Sequence, residues 1–121
     1  MKYWIALVLI AAVLAAGCTG QPPTAAAVSG KDILEFYGDG CLHCKNMEPV
    51  VAQVEQELGM NITMYEVWFN EANREVFFQY RDIAAPACGG DLGVPAFVNL
   101  RTQKAICGEK SAAELKAFIL E

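Results

Sequence analysis

LEFYGDGCLHCKNMEP, from Leu34 to Pro49, runs an apolar stretch straight into two cysteines three residues apart. Ile33, Leu34, Phe36 and Tyr37 are nearly continuous apolar residues, the pattern of a central strand covered on both faces. The strand is expected over Lys31–Gly38, and the DGCLHC that follows it is a turn entering a helix. From Met47 onward the apolar positions Met47, Val50, Val51, Val54 and Leu58 repeat at helical spacing, and Gly59 supplies a stop. Pro49 sits inside this helix and is expected to kink it. Cys41 therefore falls at the helix start and Cys44 one turn further in.

That placement has chemical consequences. One helical turn separates the sulfurs, so they can close a small ring that is easily opened. At a helix start the unpaired backbone N–H groups and the dipole favour negative charge. Both forces populate the Cys41 thiolate, the form that attacks disulfides. Cys41 is expected to be the exposed nucleophile and Cys44 the shielded, resolving thiol. His43, between them, is expected to stabilise the thiolate and so make the disulfide more oxidising. A CxxC can equally be a structural staple or half of a metal site. His43 is the single histidine of the chain, and no second Cys/His cluster lies nearby, so no metal site is expected. A soft ion such as copper, carried by Cys41, Cys44 and His43, remains the alternative function.

Working outward, NITMYEVWF (Asn61–Phe69) is rich in β-branched and aromatic residues and is expected to be a second strand. Glu71–Ile83 is expected to be a helix with Val76, Phe77 and Tyr80 on one side. Ala84–Gly93 is expected to be a loop from its Pro and Gly content. Val94–Leu100 gives a third strand, RTQK a hairpin turn, and Ala105–Cys107 a short fourth strand. Ser111–Leu120 is the last helix, opened by an S-x-x-E capping box of Ser111 and Glu114. The order β-α-β-α-β-β-α makes an α/β fold. The first two strands, joined by a helical crossover, are expected to be parallel and the last two to form a hairpin. The result is a mixed four-stranded sheet with helices on both faces.

These residues together resemble the thioredoxin superfamily. The acid in the first strand, the CxxC, Lys45 and the helix-borne Pro49 stand in the family's relative positions. The x-His dipeptide and the LEFY strand are more similar to the DsbA-type oxidases than to thioredoxin, although no long helical insertion is present. Gly40 replaces the Trp that thioredoxins carry before the first cysteine. VPAF resembles the family's cis-proline loop, and ICGEKSAAELKAF its final strand and helix. The resemblance covers roughly Lys31 to Glu121. It implies a thiol-disulfide oxidoreductase that needs no cofactor. It further implies that Glu35 is a buried acid beneath the active site, passing a proton to and from Cys44; the other reading is a surface acid on an edge strand. It implies that the Val94–Pro95 bond is cis, packs against the CxxC, and lets the Val94 backbone pair with a bound peptide. Without the family, Pro95 is an ordinary strand start.

Four cysteines follow residue 18, and four thiols allow three connectivities. In the expected hairpin the start of the Val94–Leu100 strand lies beside the end of the Ala105–Cys107 strand. Cys88 lies on the pliable loop leading into Pro95, so a Cys88–Cys107 disulfide is expected. By the resemblance it borders the active site, either as a staple or as an electron relay.

The N-terminus carries a different message. Tyr3–Gly17 is an uninterrupted apolar and small-residue run behind Lys2. It is shorter than the roughly 20 residues of a membrane span and fits a signal peptide over 1–17. LAAGC, ending at Cys18, resembles a lipoprotein cleavage site, which implies a lipidated Cys18; a cysteine after a simple secretory signal or an uncleaved anchor is the other reading. Residues 18–30 form a small, Pro-containing tether, and 31–121 the folded domain. An exported, membrane-anchored monomer on the extracytoplasmic face is the expected state, acting on protein thiols and disulfides with a redox partner protein. The formal charge is −5, and no basic cluster occurs, so nucleic acid is not an expected partner.

Overall fold

A computed structural model describes residues 28–121. The leader, Cys18 and residues 18–27 of the tether lie outside the described residues. The chain forms β1 (Ile33–Tyr37), α1 (Leu42–Leu58), β2 (Thr63–Glu66), α2 (Glu71–Gln79), α3 (Arg81–Ala87), β3 (Ala96–Asn99), β4 (Lys104–Cys107) and α4 (Ala112–Leu120). The strands lie in the order β2-β1-β3-β4. β1 is parallel to β2 and antiparallel to β3, and β3 and β4 form the hairpin. This is the expected mixed sheet, with its one parallel pair at the helical crossover.

Two apolar layers enclose the sheet. Ile33 and Phe97 face α1 and α4, packing with Met47, Val51, Val54, Leu115 and Ile119. Leu34, Phe36, Ala96 and Val98 face the other way, against Phe77 and Ala84 of α2 and α3. The Phe36 ring stacks on Phe77 at a centroid distance of 4.3 Å. Alternation along β1 thus fixes which face each residue serves, and it puts Glu35 on the α1 side.

The element boundaries differ from expectation for local reasons. β1 starts at Ile33 because Gly30–Asp32 is a 3-10 turn, with the Lys31 amide donating to Ser29 Oγ at 3.3 Å. Val28 packs against the core, and a Cβ on Gly30 would overlap the Asn61 backbone. Residues 28–30, assigned above to the tether, are therefore part of the fold. β2 is shorter than Asn61–Phe69 at both ends. The Ile62 amide donates to Glu55 Oε1 of α1 at 2.7 Å. Beyond Val67, whose amide donates to the Tyr37 carbonyl, the amides of residues 68–70 turn onto the Glu66 carboxylate.

The single helix expected over 71–83 is two helices, broken at Tyr80, whose amide bonds back three residues to Phe77. The segment Ala84–Ala87, expected to be loop, is the end of α3. Ala84 and Ala85 are buried, Ala84 against the sheet, and this tertiary packing overrides the poor helix propensity of Pro86 in the last turn. α1 runs unbroken through Pro49.

The capping box on α4 is complete: the Glu114 amide donates to Ser111 Oγ at 3.2 Å, and the Ser111 amide donates to Glu114 Oε2 at 2.8 Å. These bonds hold the Glu114 carboxyl below its ordinary pKa. Ser111→Ala is expected to cost about 1 kcal/mol, read as a lowered denaturant midpoint with unchanged slope. An unchanged midpoint would mean that tertiary packing alone holds α4.

Candidate active site

Cys41 is the N-cap residue of α1, with φ −72° and ψ 115°. Gly40, at φ 87°, makes the turn into it. The Cys41 amide donates to the Gly38 carbonyl at 3.0 Å, and its sulfur accepts the Cys44 amide at 3.1 Å. A helix N–H is thus already aimed at the atom that would carry the thiolate charge, and no acidic residue stands in the first turn to oppose it. Cys41 and Cys44 are joined as a disulfide, with Cα atoms 5.2 Å apart.

The expected contrast between an exposed Cys41 and a shielded Cys44 is not what the structure has. The two residues are 6% and 5% exposed. The Val94 carbonyl oxygen sits 4.0 Å from Cys41 Sγ, so this loop helps cover the outer sulfur. In this disulfide form the two residues do not differ in burial, and the Cys41 sulfur is set apart by the Cys44 amide aimed at it.

His43 also sits differently. Its ring points to the loop before α4, where Nδ1 lies 2.7 Å from Glu109 Oε1. Asn46 Nδ2 donates to the same oxygen at 2.9 Å. Glu109 is held below the ordinary carboxylate pKa, first by the bond from His43 and then by that from Asn46. An ionised carboxylate only accepts, so the imidazole proton resides on Nδ1. Among the described residues no hydrogen bond joins His43 to either sulfur. Sequence reasoning missed Glu109. The spacing of His43 and Asn46, three apart on one helix face, was a signal for a shared partner, but nothing local named a residue 66 positions away from His43.

Glu35 lies on β1 beneath α1, opposite Met64 on β2 and Phe97 on β3. It is 2% exposed, and its Oε2 has no hydrogen-bond partner among the described residues. Burial, followed by the nearby Glu55 and Glu48 carboxylates, pushes its pKa from 4.5 up to about 7. A cavity of about 200 Å³ is lined by Glu35 together with Cys41, Cys44, Lys45 and Glu48. The buried acid and the inner cysteine therefore share one small chamber, which is the arrangement that proton transfer between them needs.

The loops around the cysteines are pinned by Glu66, a second residue that sequence reasoning missed. Its carboxylate accepts the amides of Asp39, Trp68, Phe69 and Asn70. Partial burial acts to raise its pKa, but these amides outweigh that and hold it low. Trp68 lies over Gly38, where a Cβ would overlap the indole.

The Val94–Pro95 bond is cis. Cys88 and Cys107 form a second disulfide, with Cα atoms 5.1 Å apart. Cys107 pairs with Ala96 across the hairpin, so this disulfide lies at the same end of the sheet as Pro95. Among the described residues no group of three or more His, Cys, Asp or Glu side chains is placed to hold a metal ion, and no helix is long and apolar enough to cross a membrane.

Residues 25–89, more than half of the chain, match the thioredoxin family model. Among solved structures, the chain is similar to the glutaredoxin from Methanosarcina mazei Go1, with a TM-score of 0.52 at 17% identity, covering 77% of this chain and 82% of that one. It is also similar to a mutant thioredoxin from Halobacterium salinarum NRC-1, with a TM-score of 0.53 at 23% identity, covering 77% and 76%. At these identities the likenesses concern the fold. No curated protein sequence gives a significant match.

Proposed function

The chain belongs to the thioredoxin family, and we propose that it is an exported, membrane-tethered member that exchanges disulfides with protein substrates through Cys41 and Cys44. Thiol-disulfide exchange is its chemistry. The observation that carries the assignment is the cysteine pair at the start of α1, with the Cys44 amide donating to Cys41 Sγ. The tethered, extracytoplasmic setting is supported by the sequence before residue 28: the apolar run Tyr3–Gly17, the LAAGC ending at Cys18, and the Pro-bearing stretch after it.

In the reductive direction the Cys41 thiolate attacks one sulfur of a substrate disulfide. That S–S bond breaks, its electron pair leaves with the other substrate sulfur as a thiolate, and Cys41 is joined to substrate in a mixed disulfide. Glu35 takes the proton of Cys44. The Cys44 thiolate then attacks Cys41 Sγ, expels the second substrate sulfur, and closes the Cys41–Cys44 disulfide. Two electrons have passed to substrate, and a partner dithiol must return them. Run backwards, the same steps oxidise substrate thiols. Val94 serves substrate binding: its backbone stands beside Cys41, and among the described residues it makes no backbone hydrogen bond of its own.

A trapping experiment tests both halves of the proposal. Cys44→Ser removes the resolving thiol, so mixed disulfides at Cys41 should accumulate. They should be recovered with membranes, resist a high-salt wash, and be released by a reductant. The mature protein should begin at a lipid-bearing Cys18 by mass spectrometry. Failure to trap any thiol protein counts against exchange on proteins, and an unmodified Cys18 thiol counts against the tether.

A further inference from the structure

The Cys88–Cys107 disulfide stands directly behind the backbone that borders the CxxC. Both its sulfurs lie against the Gly93 carbonyl oxygen, Cys88 Sγ at 3.6 Å and Cys107 Sγ at 3.7 Å. The next carbonyl oxygen along, that of Val94, is the one 4.0 Å from Cys41 Sγ. The two disulfides therefore flank a single dipeptide and touch consecutive carbonyls. A Cβ at Gly93 would stand 3.6 to 3.8 Å from Cys88 Cβ, Cys107 Sγ and Cys88 Sγ, in ordinary van der Waals contact, so a side chain built out from this position meets the disulfide.

Downstream the segment is anchored by the sheet: the Gly108 amide donates to the Pro95 carbonyl at 2.8 Å, and Ala96 pairs with Cys107. Upstream the anchor stops short. The Gly90 amide still donates to the Ala85 carbonyl of α3 at 2.8 Å, but from Asp91 to Val94 no backbone–backbone hydrogen bond is made among the described residues. The disulfide ties Cys88, at the α3 end of this connection, covalently to Cys107 of β4.

We propose that the Cys88–Cys107 disulfide is a positioning device for the exchange reaction, holding Gly93–Val94–Pro95 so that the unpaired peptide edge of Val94 stands ready beside Cys41 for the backbone of a protein substrate. Cys88 and Cys107 touch no reacting atom and act through Val94. The proposal rests on the reading of Val94 as the substrate-pairing residue. A loosely held edge must be ordered each time an extended peptide docks on it, which weakens that docking. A small disulfide that reaches Cys41 without backbone pairing is indifferent to it.

The test compares, in the full chain, a linear peptide carrying one disulfide with hydroxyethyl disulfide. In Cys88→Ala/Cys107→Ala the KM for the peptide is expected to rise about five- to tenfold, the worth of roughly one hydrogen bond, with kcat and the small-disulfide rate within about twofold. Gly93→Leu keeps both cysteines and sets a branched side chain between the disulfide and the Gly93–Val94 backbone, where it is expected to shift the segment. It should show the same split, and it decides the matter if the double variant does not fold. An unchanged peptide KM in the variants overturns the proposal. So does an equal loss with both substrates, the mark of a staple that only keeps the domain folded. Backbone N-methylation of the peptide beside its cysteine separates the premise. If it leaves the wild-type KM unchanged, pairing at Val94 falls and the proposal with it; if it raises KM while the variants do not, only the disulfide's role falls.

Discussion

Cys41→Ser is expected to remain folded and to lose disulfide exchange by a factor on the order of 10³ or more, the scale seen when a catalytic nucleophile is removed. The argument for folding is local. Cys41 caps α1, its sulfur accepting the Cys44 amide. Serine is among the best N-cap residues and cysteine is not, so the hydroxyl takes over that amide and the helix start survives. The disulfide given up closes a loop of only three residues' separation, and the chain-entropy gain of a cross-link grows with loop length. The argument for lost activity is chemical: a serine hydroxyl is not ionised near neutral pH and forms no mixed disulfide. Stability within about 1 kcal/mol of the parent, alongside exchange that has collapsed, would separate chemistry from folding. Cys41→Ala is the control, losing the chemistry and the cap together. Substantial exchange surviving in Cys41→Ser would mean that another of the thiols is the nucleophile.

The sheet was legible because its signals are local. A continuous apolar strand, a helical repeat from Met47 to Leu58 and a tight turn between two short strands fix one parallel and one antiparallel connection before any long-range contact is known. The boundaries were less legible because they are set by distant partners. β2 ends where Glu66 turns back onto its own downstream amides and onto Asp39, a bond between segments 27 residues apart. The break at Tyr80 lets Phe77 and Ala84 both reach the sheet, a packing requirement that a helical repeat does not encode. Pro86 and the glycines after it misled in the other direction, because helix breakers near a helix end cost little when the residues before them are buried alanines.

The site divides in the same way. Cys41 and Cys44 announce themselves by spacing and by the strand before them. The geometry at Cys88, Cys107 and Pro95 follows from the register of a hairpin. His43 shows the limit. Its chain position between the sulfurs gave no hint of its partner: a helix points successive side chains about 100° apart, and that rotation carries the imidazole to Glu109. The carboxylates tell a parallel story. Glu35 could be read from its apolar neighbours, whereas Glu109 sits in a polar turn that gives no such contrast. Glu66 has apolar neighbours too, Tyr65 and Val67, but the amides it collects lie on the chain downstream and on Asp39, which its own surroundings do not name.

Glu35→Gln is expected to make the protein more stable at alkaline pH and slower at its reaction. In the fold the carboxyl holds its proton to about pH 7, against an ordinary value of 4.5. Between those two values the folded state binds more protons than the unfolded state, so wild-type stability falls as pH rises from about 4.5 to 7 and is level beyond. The full loss corresponds to about 3 kcal/mol at 1.36 kcal/mol per pH unit. Gln fills the same space without a charge to bury, so its stability should not follow that slope. Near pH 5 the two proteins should be similar, or the variant slightly weaker, since its amide finds no partner where Oε2 finds none now. By pH 8 the variant should lead. Exchange should move the opposite way. An amide cannot accept the Cys44 proton in the shared cavity, and loss of a positioned general base costs about 10²- to 10⁴-fold. The wild-type resolution rate should therefore inflect near pH 7, and the variant's should not. Denaturant midpoints from pH 5 to 8, set beside single-turnover resolution rates over the same range, test both signs at once. Identical pH slopes of stability in the two proteins would show that Glu35 ionises as freely in the fold as in water. An unchanged resolution rate would leave water, rather than this carboxyl, as the acceptor of the Cys44 proton.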